Sequence, residues 1–265
     1  MKNHVSVLLV SSLALNATTA ELIPVLRPSN PSSTAGGSSF SAGISGDARF
    51  VTFLSHANNL VTNDSMNPWM DVFLRDLTNG TTTLVSVGAS GMGGGNDNSG
   101  MPSASLDGAF VIFESTASNL VPNDTNGFSD VFLRDLNAGL TRIVNAGTNG
   151  SAANGASGTP LLSRDGRYVV YESSASNLVS FDSNGTRDLF LYDRVLDRNR
   201  VVSADDDFTP GSNGPSHSAV ITPDARFIAF VKSATNNLLN PPATNYSEIY
   251  VREMQSTMPD RKSVV

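Results

Sequence analysis

Apolar and polar residues alternate along this chain in short runs that recur every 58 to 60 residues. The second copy, residues 103–135, shows the pattern best: a turn signal at Asp107-Gly108, an apolar run over 109–115, a polar loop, and a second run over 130–135. β-branched and aromatic residues favour strands, and Asp-Gly favours a hairpin turn. Repeated units bury their apolar faces against one another, so the pattern predicts a repeat architecture. The turn aspartates are Asp47, Asp107, Asp165 and Asp224.

Each copy contains four short candidate strands, and no window after the first residues has sustained helical periodicity. Four antiparallel strands in a repeat of this length are typical of a propeller blade. The sequence therefore predicts an all-β protein, a β-propeller with four blades of four antiparallel strands. A partial or open propeller arc is the alternative, since four blades are at the small end of the known range. The predicted blades cover about residues 40–87, 101–146, 159–204 and 217–265.

Several positions carry the same residue type in every copy. Aromatic residues recur in the second and third strands, and we expect them to fill the layers between blades. An asparagine before a leucine recurs in the loop and is expected to tie the loop backbone. In two copies the turn reads Asp-Ala, which predicts a longer turn because alanine tolerates positive φ less well than glycine. The repeated residues are Phe53, Phe113, Tyr171 and Phe230, then Phe73, Phe132, Phe190 and Tyr250, and Asn59, Asn119, Asn177 and Asn237; the Asp-Ala turns are Asp47-Ala48 and Asp224-Ala225.

These units resemble the TolB-type, WD-repeat-like β-propeller repeat of bacterial envelope and secreted proteins. The motifs that carry the resemblance are Ser-Leu-Asp-Gly (105–108), Ser-Arg-Asp-Gly-Arg-Tyr-Val-Val-Tyr (163–171) and Asp-Val-Phe-Leu-Arg-Asp (71–76 and 130–135). The resemblance covers about residues 40–253. It implies the propeller fold but leaves the function open, because such repeats serve as scaffolds, as ligand-binding modules and, with added domains, as hydrolases.

The first twenty residues, 1–20, predict a secretory signal peptide, with an apolar run from Val5 to Leu15 and small residues up to Ala20. A buried first strand or an uncleaved anchor is the alternative. The predicted location is therefore secreted or periplasmic, with no membrane span after signal cleavage. Residues 21–39 predict an N-terminal strand and linker, which we expect to help close the ring and to remove an exposed sheet edge.

The amino-acid composition limits the kinds of partner that this chain can bind. The net charge of −7 argues against a nucleic acid, whose phosphates require a basic face, and the absence of cysteine excludes a disulfide framework. Long connectors rich in glycine, serine and asparagine leave the blades at the same end as the loop between strands two and three. We expect a protein or polysaccharide ligand on that face. Trp69, the only tryptophan, lies in such a loop and is a candidate for the binding face, with packing onto the rim as the alternative.

Two loops resemble the second half of a calcium-binding loop, with oxygen side chains at alternate positions, a glycine, and an acid three residues later. The first acidic position of a complete loop is missing, and turn capping by the same side chains is the alternative. We expect any Ca²⁺ bound here to support the fold rather than catalyse a reaction. The candidate metal ligands are Asp124, Asn126 and Asp130, then Asp182, Asn184 and Asp188, and a less complete set, Asp64 and Asp71.

The sequence lacks the common catalytic motifs: G-x-S-x-G, H-E-x-x-H and G-x-G-x-x-G are all absent. Glu114 and Glu172 occupy equivalent positions in two copies, and a pair of carboxylates can act on a glycoside. Solvated or ion-paired strand ends are the alternative role for them. The sequence thus predicts an exported, non-catalytic binding or scaffold module, with a glycan-active hydrolase or lyase as the alternative.

Overall fold

The structure, a computed structural model, describes residue 25 and residues 36–64, 67–182, 184–204, 214–233, 247–254 and 263–264. These residues form four antiparallel sheets of four strands, and within each sheet the strands lie side by side in chain order. In chain order the strands are β1 (Ser39–Ile44), β2 (Phe50–Ser55), β3 (Asp71–Asp76), β4 (Thr81–Leu84), β5 (Ser99–Ala104), β6 (Phe110–Ser115), β7 (Asp130–Asp135), β8 (Leu140–Ile143), β9 (Ser157–Leu162), β10 (Tyr168–Ser173), β11 (Asp188–Asp193), β12 (Arg198–Val201), β13 (Ser216–Ile221), β14 (Phe227–Ser233), β15 (Ser247–Glu253) and β16 (Ser263–Val264).

The apolar core lies in the layers between neighbouring sheets. In each sheet an aromatic ring of the second strand stacks on one of the third, with centroids 5.5 to 5.9 Å apart. Three of these pairs pack against the preceding sheet, which confirms the prediction that the aromatic residues fill the layers. The first pair packs instead with Val25. The pairs are Phe53–Phe73, Phe113–Phe132, Tyr171–Phe190 and Phe230–Tyr250.

In the described part of the chain, the four sheets form an open series that does not close into a ring. Strands β5, β9 and β13 each pack against the preceding sheet. On the far side of the fourth sheet, Val220 and Ile249 are 63% and 53% exposed. Val72 and Leu189 occupy the position of Ile249 in the first and third sheets, and the following sheet buries both. The described residues therefore adopt the open-arc alternative.

Two predictions fall largely on residues that the structure does not describe. The signal peptide, residues 1–20, lies outside the described part of the chain. Of the closing segment 21–39, only residue 25 and residues 36–39 are described. Val25 packs against the buried cluster of the first sheet that contains Phe53 and Phe73, so this segment contacts the face that has no preceding sheet among the described residues.

The turn between the first and second strands is the same in all four sheets. Its third residue has a positive φ, whether it is Gly108 (68°), Gly166 (70°), Ala48 (58°) or Ala225 (52°), and its N–H donates to the carbonyl three residues earlier. The longer turn expected for the Asp-Ala copies is therefore wrong. The turn aspartate accounts for this, because its Oδ1 accepts hydrogen bonds from a Ser or Thr hydroxyl before it and from a backbone N–H after it.

Asparagine side chains attach the long connectors to the sheets. In three sheets the loop asparagine accepts a hydrogen bond from a connector N–H at 2.9 to 3.1 Å. Each asparagine holds the segment that precedes its own sheet, rather than its own loop as the sequence suggested. The connectors and the loops between strands two and three consequently lie together at one end of the sheets. The bonded pairs are Asn59 with Gly36, Asn119 with Asn96, and Asn177 with Asn154; Asn237 lies outside the described residues.

Candidate functional site

A buried aspartate begins the third strand of the first three sheets, at most 1% exposed. One of its oxygens accepts a hydrogen bond from a side chain that follows the fourth strand, and that side chain in turn accepts the N–H of the residue after the aspartate. The aspartate thereby ties the third strand to the end of the fourth. The three pairs are Asp71 with Ser86, Asp130 with Asn145, and Asp188 with Ser203.

In the second sheet, the predicted metal ligands do come together around this aspartate. The amide nitrogen of Asn126 donates to both oxygens of Asp130, at 3.2 and 2.8 Å, and to the carbonyl of Ala153 at 3.2 Å. The oxygen of the same amide accepts the Phe128 N–H at 2.9 Å, which closes an Asx turn. The carboxyl groups of Asp124 and Asp130 share a hydrogen bond.

The carboxyl pair of Asp124 and Asp130 holds a proton more firmly than an exposed aspartate does. Burial is the largest cause, and the neighbouring charge of Asp124 adds to it; together they raise the pKa of Asp130 to about 6, against the opposing hydrogen bonds of Asn145 and Asn126. Burial also raises the pKa of Asp124. Two carboxyl groups this close cannot both ionise without repulsion, so the pair titrates as a unit.

The third sheet repeats this arrangement. Asn184 donates to Asp188 at 2.6 Å and accepts the Thr186 N–H at 2.8 Å. Burial and, after it, the charge of Asp188 raise the pKa of Asp182 to about 6. The structure therefore brings together the predicted residues of this loop as well.

The first sheet builds the same contact from a different sequence. Asn67, which the sequence reasoning did not identify, donates to Asp71 at 3.4 Å, and the Gly95 N–H donates to the other oxygen at 3.2 Å. Burial raises the pKa of Asp71. Asp64 lies in the same loop, but residues 65–66, which follow it, are not described.

As they stand, these side chains form capped turns and do not fit a calcium ion without rearrangement. Calcium requires six to eight oxygen ligands. In the second sheet the oxygen of Asn126 is committed to a backbone N–H, and its nitrogen, a donor, points to Asp130. Within the described residues no three His, Cys, Asp or Glu side chains gather as metal ligands. Calcium binding stays a prediction, and it requires the Asn126 amide to turn.

The two equivalent glutamates join neighbouring sheets. Glu114 accepts the N–H of Thr159 at 2.9 Å, and Glu172 accepts the N–H of Ser218 at 2.9 Å and pairs with Arg187 at 3.2 Å. Thr159 and Ser218 have φ values of 49° and 55° where their strands deviate from regular pairing, and such a bulge frees an N–H from the ladder. The glutamates therefore lie at different sheet interfaces, where each satisfies a donor of the next sheet.

Trp69 lies in the loop before β3 and is 37% exposed. Its backbone N–H donates to the side chain of Asn67 at 2.9 Å, so the loop that carries the indole is held by an Asx turn. The indole does not line the groove described next.

A groove of about 490 Å³ runs between the second and third sheets. One wall comes from the connector at 146–150 and from the loop at 178–181, which includes Phe181, 42% exposed. The other residues come from the end of β8 and from β11, β12 and the turn between them, and include Tyr192 and Asp197. The groove therefore begins at the end of the sheets that carries the long loops and continues along their outer edge.

The third sheet departs from the repeat where it lines this groove. The first and second sheets carry an arginine on the third strand that donates to a threonine on the fourth, at 3.0 and 3.1 Å. In the third sheet, the equivalent register places Tyr192 opposite Asn199. The arginine–threonine pairs are Arg75 with Thr82 and Arg134 with Thr141.

The substituted residues form a hydrogen-bonded network. The Tyr171 hydroxyl donates to the Asn199 oxygen at 2.8 Å, and the Asn199 nitrogen donates to the carbonyl of Val144 in the second sheet at 3.0 Å. The Tyr192 hydroxyl donates to Asp197 at 2.7 Å. Burial is the largest cause that raises the pKa of Tyr192 above its ordinary value, so this hydroxyl stays a donor at neutral pH.

Asp197 takes a backbone position that the first and second sheets give to glycine. Its φ is 49°, and the equivalent residues Gly80 and Gly139 both have φ of 66°. A left-handed conformation costs an L-residue about 1–2 kcal/mol, although aspartate tolerates it better than most. The third sheet accepts this strain and gains a carboxylate beside Tyr192. Sequence reasoning missed the groove because it looked for what the copies share, whereas the signal was where one copy differs.

No protein-family model matches the chain, and no curated protein matches it. Similar solved structures include the β-propeller domain of the Trilobed protease from Pyrococcus furiosus (12% identity, 85% of this chain, 57% of that chain, TM-score 0.48). Oligogalacturonate lyase in complex with manganese is also similar (15% identity, 83% of this chain, 52% of that chain, TM-score 0.49). So is a TolB-like protein from Agrobacterium tumefaciens (13% identity, 87% of this chain, 81% of that chain, TM-score 0.38). The chain spans about half the length of the first two. These similarities concern the fold alone.

In the part of the chain that the structure describes, no helix could cross a membrane.

Proposed function

We propose that this chain is an exported, non-catalytic β-propeller module that binds a polysaccharide in the groove between its second and third sheets. The observation that carries the proposal is the two contacts Tyr171–Asn199 and Tyr192–Asp197, which lie where the first and second sheets carry an arginine–threonine pair. Ligand sites are concave and combine apolar walls with a few placed polar groups, and this groove has that composition.

The chemistry of the groove suits a sugar chain. Phe181 offers an exposed aromatic ring, on which the apolar face of a sugar can pack. Asp197 and Asn199 offer acceptor and donor groups of the kind that hydroxyl groups require. The volume of about 490 Å³ is within the usual range for a ligand of a few rings.

The glutamates support a binding role over the glycan-active alternative. Each of Glu114 and Glu172 already accepts a backbone N–H of the neighbouring sheet, and they belong to different interfaces. A glycosidase requires two carboxyl groups on opposite sides of one scissile bond. Export to the periplasm or the medium, which rests on residues 1–20, is part of the proposal.

The test is affinity electrophoresis of the mature chain against a panel of neutral and acidic polysaccharides. Asp197→Gly restores the residue that the first and second sheets carry and removes the carboxylate, so we expect a stability within about 1 kcal/mol of wild type together with weaker retardation. Phe181→Ala should weaken retardation about 2- to 10-fold, the loss of one aromatic contact. Phe128→Ala is the matched control, because Phe128 is also 42% exposed in the equivalent loop of the second sheet but does not line the groove.

Retardation that is equal for wild type, Asp197→Gly and Phe181→Ala would reject the groove as the polysaccharide-binding site. The absence of retardation by every polysaccharide, with capture of a protein instead, would assign a protein ligand. Release of reducing ends or unsaturated sugars, abolished by Glu114→Gln with Glu172→Gln, would establish the enzymatic alternative.

A further inference from the structure

The outer strand of the third sheet, β12, presents different chemistry to its two sides. On the side of the second sheet, Asn199 contacts Tyr171. On the other side, Arg198 and Arg200 line a separate cavity of about 310 Å³ between the third and fourth sheets. A third arginine, Arg167, also lines this cavity.

Among the described lining residues of this cavity, positive charge exceeds negative charge. Its one lining carboxylate, Asp193, is bound through both oxygens to Arg167, at 3.1 and 2.8 Å, and also accepts two backbone N–H groups. Arg198 and Arg200 make no side-chain hydrogen bond or ion pair with any described residue. Two guanidinium groups thus face the cavity with no counter-charge from the residues that the structure describes, in a chain whose net charge is −7.

The remaining walls are apolar. The ring of Tyr168 lies under the Arg167 guanidinium, 4.8 Å from centroid to Cζ, and Leu191, Leu196, Ala225 and Met254 complete the lining. Apolar walls lower the local dielectric and strengthen the attraction between a guanidinium and an anion. Arginine forks match the oxygens of carboxylate, sulfate and phosphate groups.

The paired arginines belong to this interface alone among the first three sheets. At the position of Arg198 the first and second sheets carry Thr81 and Leu140; at that of Arg200 they carry Thr83 and Arg142. Repetition of the fold therefore does not explain the pair.

We propose that the cavity between the third and fourth sheets is a binding site for a small oxyanion-bearing ligand, held by Arg198 and Arg200. The volume is at the lower end for ligand pockets and suits a single sugar acid or an inorganic anion rather than a polymer enclosed along its length. This site goes beyond the polysaccharide groove, with which it shares only Arg198 among the described lining residues.

The test is isothermal titration of the mature chain at constant 0.1 M NaCl with three probes: sodium sulfate, sodium glucuronate, and glucose as the neutral control. We expect saturable binding of sulfate or glucuronate and none of glucose, and the two anions distinguish a tetrahedral group from a carboxylate. Arg200→Gln should weaken anion binding at least about 10-fold, since hydrogen bonds to charged groups contribute strongly, and Arg198→Gln with Arg200→Gln should abolish it.

Arg142→Gln is the matched control, because Arg142 occupies the position of Arg200 in the second sheet and is likewise exposed. It should leave anion binding unchanged, as should Asp197→Gly in the polysaccharide groove. Both cavity arginines are exposed, so thermal melts of the variants should match wild type. Absence of binding by both anions, or binding that the double substitution does not change, would overturn the proposal; loss of polysaccharide retardation alone would not.

Discussion

The buried carboxyl pair Asp124–Asp130 makes the stability of this protein fall as the pH rises through the weakly acidic range. In the unfolded chain the aspartate releases its proton near pH 3.8, whereas in the folded chain the pKa of Asp130 is about 6. Between these values the folded state binds more protons than the unfolded state. The free energy of unfolding therefore decreases with rising pH in this window and levels off above it. The full difference between the two pKa values corresponds to a loss of about 3 kcal/mol in the free energy of unfolding.

Asp124→Asn removes one charge of the pair and keeps its shape. Burial, the largest cause of the raised pKa of Asp130, remains in the variant. We therefore expect the variant to regain only part of the free energy of unfolding that wild type loses as the pH rises, on the order of 1 kcal/mol. Relative to wild type, the variant should gain this amount between pH 4.5 and pH 7. The measurement is urea unfolding at half-unit pH intervals, supported by thermal melts in which 1 kcal/mol corresponds to about 2–4 °C. Asp97→Asn is the control for the change in net charge, since Asp97 is not among the groups that shift the pKa of Asp124 or Asp130.

Parallel stability curves for wild type and Asp124→Asn would refute this reasoning. The same variant tests calcium. With ~1 mM calcium and a Kd of ~10⁻⁴ M, wild type at pH 7 should gain ~1.4 kcal/mol per site, and Asp124→Asn should lose the gain of its own site. A melting temperature that is equal in calcium and in chelator would remove the calcium prediction.

Two further substitutions test the joints between sheets. Gly166→Ala should lower the free energy of unfolding by about 2–4 kcal/mol, because φ is 70° and the added Cβ would lie 2.6 Å from the ring of Phe110. Gly150→Ala, with φ of 75° and no atom within 4 Å, should lower it by only about 1 kcal/mol. Equal losses in chemical denaturation would show that the contact with the Phe110 ring does not matter. Glu114→Ala should cost about 0.5–1.5 kcal/mol, the net contribution of one hydrogen bond, because water can replace the lost acceptor of the exposed Thr159 N–H. Glu114→Gln should restore most of the loss, and a Gln variant as unstable as the Ala variant would argue that the charge matters instead.

Much of the fold was readable from the chain because the signals are local. The Asp-Gly turn, the alternating apolar runs and the recurrence of both predict strands, hairpins and repeated sheets without knowledge of distant contacts. The one local error, the turn at Ala48 and Ala225, arose because the alanine φ preference was considered without the aspartate that closes the turn.

The candidate site was only partly predictable. The spacing of Asp124, Asn126 and Asp130 correctly indicated that these side chains lie together, since all three belong to one loop. Their hydrogen-bond directions were not readable, and those directions decide between a capped turn and a metal site. The role of Glu114 was hidden for a related reason: its partner is an N–H of the next sheet, freed by an irregularity that the sequence does not mark.

The sequence by itself determined the repeat, the four-stranded unit and the aromatic layers, because period-two alternation and turn chemistry act within a few residues of chain. Only the tertiary structure decided that the sheets form an open arc, that the glutamates join sheets, and that β12 places Asn199 in one cavity and Arg200 in another. Those features depend on which faces of separate sheets meet, and residues more than forty positions apart carry no local mark of that contact.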